Sequence, residues 1–75
     1  MRRLYTMAIS ATIGTSFNAY TGCVWATSKS EAEGKAMQLC KDYFPLEDGY
    51  GNHRVIAEQI PDQHVRLAYA RLQEE

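Results

Sequence analysis

The sequence predicts a single small α+β domain over residues 1–75, with the element order ββαβα. Two runs of alternating apolar and polar residues come first, as in a β-hairpin. A segment with helix-start signals and apolar residues at helical spacing follows, and a third apolar run comes after a turn-rich connection. A chain of 75 residues is long enough for one domain only, with a small core.

The first two strands are predicted from period-2 alternation. From Tyr5 to Ile13 the odd positions are apolar or aromatic, whereas the even positions are mostly Thr and Ser. A second alternating run extends from Phe17 to Ala26. The polar segment Gly14-Thr15-Ser16 lies between the runs, so we expect a tight hairpin.

The length of the hairpin loop decides which face of the sheet carries Trp25, the only tryptophan. A two-residue loop, Gly14-Thr15, places Phe17 and Trp25 on the face opposite to the large apolar residues of the first strand, where Trp25 becomes the first candidate for a binding hot spot. A three-residue loop, Gly14-Thr15-Ser16, places Tyr5 opposite Trp25 and gathers nearly all large apolar side chains on one face. The hydrophobic pattern favours the longer loop, so we expect Trp25 to be the last inward residue of the second strand.

The main helix is predicted from Lys29 to Tyr43. Ser28 and Ser30 each precede a glutamate by three residues, and both pairs fit the capping box. Pro45 ends the helix because it disfavours helical geometry at the preceding residue. The apolar positions recur at helical spacing: Ala32, Ala36, Leu39, Cys40, Tyr43 and Phe44.

The remaining elements are a turn-rich connection over 46–52, a third strand over 53–60 and a short second helix that begins at Asp62. The third strand has apolar residues at both odd and even positions, so both of its faces are expected to be partly covered. The second helix has an apolar stripe formed by Val65, Ala68, Tyr69 and Leu72.

The order of elements predicts the topology. The main helix crosses one face of the hairpin, and a right-handed return brings the third strand to the free edge of the first. We therefore expect a three-stranded antiparallel sheet in the order 2-1-3, with the main helix packed on one face and the short C-terminal helix added to it.

Composition limits the function classes. The net charge is −1 and the eight basic residues are scattered, which argues against a protein that binds nucleic acid by neutralising phosphates. No stretch of about 20 apolar residues is present, so no segment can cross a membrane as a helix. The two cysteines, Cys23 and Cys40, follow apolar periodicities and are expected to be small core residues in a reducing cytoplasm.

Residues with catalytic or metal-binding chemistry form no recognisable pattern. His53 and His64 have neither a catalytic nor a metal-ligand spacing, and both are expected at the surface. A cysteine nucleophile needs an electropositive, accessible setting, which an apolar periodicity does not predict. We therefore expect a protein with no catalytic residues, no metal and no cofactor.

A semi-apolar outer face of the sheet is the candidate interaction surface. It is predicted to carry Tyr20, Val24, Ile56 and Ile60, and to be covered by the C-terminal helix, a second copy or a protein partner. Aromatic residues near this face and two arginines at its rim complete the candidate interface. Its members are Tyr20, Val24, Tyr50, Arg54, Ile56, Ile60, Arg66 and Tyr69.

One segment resembles a known family. Gly22-Cys23, then Ser28-Lys29-Ser30-Glu31-Ala32 and Ala36, resemble the strand-to-helix signature of HicB-type antitoxins over roughly residues 22–36. The spacing differs by one residue, and residues 1–75 include no counterpart of the DNA-binding region of that family. The layout of a hairpin, an Ala-rich helix and a strand is also similar to small phage-encoded inhibitors, including anti-CRISPR proteins. These resemblances imply a non-catalytic protein that occludes another protein or a nucleoprotein complex.

Together these observations predict a small cytoplasmic protein-binding module, an accessory or inhibitor protein of a phage or mobile element that can homodimerise. The alternative is a weak nucleic-acid-binding module, and an enzyme accessory subunit ranks third. The basic residues of the alternative are Arg2, Arg3, Lys29, Lys41, Arg54 and Arg66.

Overall fold

The computed structural model describes residues 1–61 and His64. Its elements are strand β1 (Arg3–Ile13), strand β2 (Ser16–Ala26), helix α1 (Lys29–Tyr43), a 3₁₀ turn (Leu46–Asp48) and strand β3 (Gly51–Gln59). The α+β class is confirmed, and α1 has the bounds that the sequence predicts. The predicted C-terminal helix lies outside the described residues, and so do Arg66 and Tyr69.

The predicted sheet topology is confirmed. The three strands are antiparallel in the order β2-β1-β3, so β1 is central. Its pairing with β2 is continuous over eleven residue pairs, from Arg3 with Ala26 to Ile13 with Ser16. Its pairing with β3 shifts register between Ser10 and Thr12. The two edges of the sheet therefore differ in regularity.

The predicted three-residue hairpin loop is wrong. Ile13 pairs with Ser16, which leaves the two-residue loop Gly14-Thr15, and Trp25 pairs with Leu4 instead of Tyr5. Gly14 has φ 58°, whereas Thr15 does not have a positive φ, which is the glycine-first pattern of a type II′ turn. This turn matches the twist of the flanking strands, and it decides the register against the hydrophobic pattern.

The register sets the composition of the two sheet faces. The helix face carries the odd residues of β1 and β3 and the even residues of β2, and α1 packs against it. The opposite face, called the open face below, carries the other residues. Phe17, Trp25 and Ile56 lie on the open face, so the prediction that Trp25 points inward is wrong.

Small residues bring α1 close to the sheet. Ala32, Ala36 and Cys40 are fully buried at successive turns of the helix, and they meet a sheet face that also carries buried alanines. Small side chains at a helix-sheet contact allow the two backbones to approach closely. Larger residues fill the periphery, with Tyr5 at one end of the core and Phe44 at the other.

Local contacts fix both ends of α1. Of the two predicted capping serines, Ser28 is the N-cap, and its Oγ accepts a hydrogen bond from the Glu31 backbone N–H at 3.1 Å. The Glu31 side chain accepts from the backbone N–H and the hydroxyl of Thr27, one residue before the cap. At the other end the Phe44 N–H donates to the Cys40 carbonyl at 2.8 Å, as expected for a helix that stops before Pro45.

A candidate interaction surface on the edge strand β2

Strand β2 lacks charge over its whole length. Its eleven residues, Ser16–Ala26, include no Asp, Glu, Lys, Arg or Pro. The uncharged segment is longer than the strand, since residues 4–28 contain no charged residue between Arg3 and Lys29. In the central strand β1 this is ordinary, because both of its sides are paired. In β2 it is unusual, because edge strands of natural proteins commonly carry charges or prolines.

β2 is also poorly covered. In the part of the chain that the structure describes, β1 is its only neighbouring strand, and α1 packs mainly over β1 and β3. Six of its eleven residues are exposed. The largest of them are Phe17, which is 70% exposed on the open face, and Tyr20, which is 58% exposed on the helix face. The strand therefore presents apolar surface on both of its faces.

The backbone of β2 has hydrogen-bonding groups directed away from β1. In an antiparallel pair, residues alternate between bonding the neighbouring strand and pointing away from it. Because Ile13 and Ser16 close a two-residue loop, the even residues of β2 bond β1 and the odd residues point outward. A hydrogen bond from Lys35 Nζ to the Trp25 carbonyl at 2.6 Å agrees with this assignment. The outward-pointing groups of Phe17, Ala19, Thr21 and Cys23 lie between the hairpin turn and this contact.

An aromatic cluster connects β2 with the far end of the helix. Tyr20 stacks on Phe44 with ring centroids 5.7 Å apart and an interplanar angle of 7°. The ring centroids of Tyr43 and Tyr20 are 5.5 Å apart, and those of Tyr50 and Phe44 are 5.2 Å apart. Aromatic pairs at these separations stabilise each other beyond the area they bury. Tyr20 is thus held at the edge of the sheet with one side of its ring exposed.

A cavity of about 430 Å³ opens beside this cluster, between β2 and α1. Gly22 lies on its sheet side, where an added Cβ would stand 3.5 Å from Met7 Cε, in ordinary contact. The absence of a side chain at Gly22 therefore leaves room at the edge. The cavity is lined by Met7, Ile9, Tyr20, Thr21, Gly22, Cys23, Leu39 and Tyr43.

The open face carries a second group of exposed residues. Ile56 is 64% exposed on β3, and the Arg2 guanidinium lies over the Trp25 ring, 5.9 Å from its centroid. A cavity of about 590 Å³ is lined by Phe17 and Arg54 of this face and also by Met37 of α1. This face differs from the helix face in that arginines accompany its apolar side chains.

The predicted outer face does not exist as one surface. Tyr20 and Val24 lie on the helix face, whereas Ile56 lies on the open face, so the prediction that they share a face is wrong. The cause is the hairpin register, which reverses every side chain of β2. The structure does bring Tyr20 close to Tyr50, because both contact Phe44.

The other candidate residues are separated from this cluster. Arg54 is exposed on the open face of β3. Ile60 is half-buried, and its N–H donates to the Leu4 carbonyl at 2.9 Å just beyond the end of β3. Three exposed residues of the uncharged edge were not among the candidates predicted from the sequence: Phe17, Thr21 and Cys23. The signal that identifies them is the absence of charge from residues 4–28, combined with the position of β2 at the edge.

The two cysteines have different environments. Cys40 is buried, as predicted, and its Sγ donates to the Ser10 carbonyl at 3.3 Å. Cys23 is exposed, so the prediction of a second core cysteine is wrong. The two-residue loop places Cys23 on the open face, away from the helix.

Histidines and carboxylates contribute to the structure around the helix. His64 is exposed, as predicted, but His53 is half-buried, and its Nε2 lies 2.6 Å from the Phe44 carbonyl. Hydrogen bonds from Thr27, helped by the Lys35 ammonium, lower the pKa of the Glu31 carboxyl from 4.5 to about 2. Within residues 1–61 and His64, no group of three or more His, Cys, Asp or Glu side chains is arranged to hold a metal ion.

No family model, curated protein or solved structure matches this chain. The resemblance of residues 22–36 to HicB-type antitoxins, and of the layout to anti-CRISPR proteins, therefore stays a prediction. No helix among the described residues is long and apolar enough to span a membrane.

Proposed function

We propose that this chain is a non-catalytic protein-binding module that captures a partner along β2. The observation that carries the proposal is the uncharged eleven-residue edge strand, which has exposed side chains on both faces. A strand of this kind is a template for β-strand addition, in which main-chain hydrogen bonds supply affinity and alternate side chains supply specificity. The exposed side chains that would recognise a partner strand are those of Phe17 and Tyr20.

Leaving this edge exposed is unfavourable for the isolated protein. An unpaired, regular and apolar strand promotes aggregation, and natural sequences avoid it with charges, prolines or bulges. β2 has no charge or proline, and its pairing with β1 has no register shift. Covering an exposed aromatic side chain such as Phe17 stabilises a complex by roughly 1.5–3 kcal/mol. A binding surface accounts for an edge of this form.

The mode of action that we propose is occlusion of the partner's own surface. A chain of 8.5 kDa that adds a strand to a partner blocks the sheet edge that it occupies. This mode agrees with the resemblance to HicB-type antitoxins and small phage inhibitors. The proposal accordingly places the protein in the cytoplasm, as an accessory or inhibitor protein of a phage or mobile element.

Site-specific photo-crosslinking in the source cells tests the proposal. A photoreactive phenylalanine analogue replaces Phe17, which preserves an aromatic side chain at the edge. The matched control carries the same analogue at Leu46, which is exposed on the 3₁₀ turn. We expect the photoreactive residue at position 17 to give a discrete protein adduct. The additional substitution Thr21→Lys, within the same edge, should abolish this adduct. The proposal is wrong if position 17 gives no protein adduct, or if the adducts from both positions are the same.

A specific contact favours nucleic acid as the second candidate partner. Arg2 stacks over Trp25 on the open face, and Arg54 lies on the same face, so a single strand could bind by stacking and phosphate contact. Two other cations are less available, since Lys29 pairs with Glu58 at 3.2 Å and Lys35 with Glu31 at 3.2 Å. Titration with single-stranded oligonucleotides at increasing salt tests this alternative. Phosphate contacts require affinity to fall steeply with salt, and an absence of binding at low salt eliminates it.

A further inference from the structure

We infer that the partner of the β2 edge is a second copy of this chain, paired antiparallel about a two-fold axis at Thr21. The inference rests on the proposed function, because it names an occupant of the same edge; occlusion of another protein then requires the two copies to separate. Two three-stranded sheets would then form one continuous six-stranded sheet. The interface is isologous, so each copy contributes the same residues.

The strand is symmetric in length about Thr21. β2 spans Ser16–Ala26, and Thr21 is its midpoint, so an axis at this residue aligns the strand with the same strand of the second copy. Because the Trp25 carbonyl already accepts from Lys35 Nζ, the hydrogen-bonded ladder between the copies is formed by Ala19, Thr21 and Cys23. The odd residues, whose backbone groups point outward, then face odd residues. Such opposed residues exchange two hydrogen bonds per pair in an antiparallel ladder. A register displaced by two or more residues in either direction leaves part of the ladder unpaired.

On the open face, this register pairs complementary side chains. Phe17 faces Trp25 of the second copy, and aromatic cross-strand pairs stabilise a sheet. Ala19 faces Cys23 of the second copy, so two small residues meet. Thr21 faces itself, and Thr–Thr pairs are favourable in antiparallel sheets. The exposed Phe17 ring becomes covered by a neighbour that the register places directly opposite it.

On the helix face, the same register pairs large residues with small ones. Tyr20 faces Gly22 of the second copy, next to the cavity of about 430 Å³ between β2 and α1. An aromatic ring over a strand glycine shields the backbone that the glycine leaves exposed. Asn18 faces the half-buried Val24 of the second copy. Each copy therefore supplies its ring where the other lacks a side chain.

The lack of charge in β2 favours its pairing with a second copy over its pairing with most strands of other proteins. With no charged residue in β2, no like charges meet across the two-fold axis, whatever the register. A net charge of −1 per copy gives little long-range repulsion. The other edge of the sheet lacks this property, because β3 carries Arg54 and Glu58 on its open face. Of the two edges, β2 is thus the one suited to meeting its own copy.

Charge-swap variants of the full-length chain test the inference by sedimentation equilibrium. We expect the wild type to have twice the monomer mass of 8.5 kDa. Thr21→Lys and Thr21→Glu each place like charges directly opposite each other, so each dissociation constant should rise by about tenfold or more. Mixing the two variants places opposite charges on the axis and should restore the dimer. The matched control Ile56→Lys adds a charge to the open face of the other edge and should leave the dimer intact.

Each outcome decides the inference. A monomeric wild type overturns it but leaves the proposed function standing, since a different protein could then be crosslinked at position 17. A dimer that survives both Thr21 variants, or that Ile56→Lys alone disrupts, also overturns it, because another surface must hold the copies together. Circular dichroism of each variant checks that the fold is kept.

Amide exchange in the unmodified chain provides a second measurement that requires no variant. The inference predicts that the amides of Ala19, Thr21 and Cys23 gain protection as concentration rises. The amides of Tyr20 and Gly22 bond β1 in either state and should be protected throughout. If the protection of the odd amides is independent of concentration, the second copy is not their partner.

Discussion

The two edges of the sheet are built differently. β3 carries Arg54 and Glu58 on the open face, and its register against β1 shifts between Ser10 and Thr12. Lys29 at the start of α1 pairs with Glu58 at 3.2 Å, and the helix packs over β3 more than over β2. β2 has continuous pairing with β1, no charge and little cover from the helix. One edge thus has the features that prevent strand addition, and the other lacks them.

This difference indicates what separates a stabilising edge from a binding edge. The residues of β3 that face the helix, Val55 and Ala57, belong to the core, so β3 holds the fold together. On β2 only Ala26 is buried, and large side chains such as Phe17 remain in solvent. Substitutions at covered positions should therefore affect folding, whereas substitutions on the β2 edge should affect association.

The largest effect is expected from Phe44→Ala. Phe44 is 3% exposed and contacts both Tyr20 and Tyr50, so it links β2 to the segment before β3. Truncation of a buried phenylalanine costs about 3–5 kcal/mol, much of the stability of a small domain. Urea unfolding measures this loss. The matched control Phe17→Ala should change the monomer's free energy of unfolding by less than about 0.5 kcal/mol. Similar losses in the two variants would contradict the comparison of the edges.

The elements could be predicted because their signals are local. The bounds of α1 follow from Ser28 and Pro45, and the 2-1-3 order follows from the crossover of the helix. The register could not be predicted from hydrophobicity, because β2 has large residues at both parities, such as Trp25 and Tyr20. The hydrophobic pattern favoured the three-residue loop, but the Gly14 turn decided the pairing.

The candidate site was predictable only in part. Tyr20 was selected from its aromatic character, and the structure places it at an exposed edge. Ile56, predicted to lie beside it, is on the other face, because the hairpin loop has two residues and not the predicted three. The absence of charge in β2 is visible in the sequence, but it has meaning only once the strand is placed at an edge. An absence of residues is a weaker signal than a motif, which is why this surface was missed.

A smaller effect is expected from Cys40→Ala, which tests the contrast between a covered and an exposed position with the same residue type. Removal of the buried Sγ also removes its hydrogen bond to the Ser10 carbonyl and should cost about 1–2 kcal/mol. Cys23→Ala, on the exposed edge, should stay within about 0.5 kcal/mol of the wild type. Thermal or urea unfolding gives both values. A reagent that labels thiols should modify Cys23 in the native protein and Cys40 only after unfolding; equal labelling rates would contradict the assignment.

The next effect is expected at the start of α1, directly after β2. Ser28→Ala removes the side-chain acceptor of the Glu31 N–H and should cost about 1 kcal/mol. Ser30→Ala is the matched control, because Ser30 lies inside the helix and the structure assigns the cap to Ser28. If the two alanine variants lose the same stability by urea unfolding, Ser28 is not the cap. Association through β2 should be unchanged in both.

The smallest effect is expected from Glu31→Gln, and it depends on pH. Lys35 joins the Glu31 carboxylate to the Trp25 carbonyl at one end of the β2 edge. Hydrogen bonds from Thr27, together with Lys35, lower the pKa of Glu31 from 4.5 to about 2. The folded state therefore binds this proton more weakly than the unfolded state, and stability from the carboxylate is fully present above about pH 5 and lost as the pH falls toward 2.

The free energy of unfolding of wild type and Glu31→Gln should consequently differ most near neutral pH and converge between about pH 4.5 and 2. Urea unfolding at a series of pH values measures the convergence, with Glu33→Gln as the variant that loses a carboxylate elsewhere on α1. Added salt should weaken the Lys35 contribution but leave the hydrogen bonds from Thr27, so part of the difference should survive at high ionic strength. A difference that stays constant down to pH 2 would show that Glu31 is not held by these contacts.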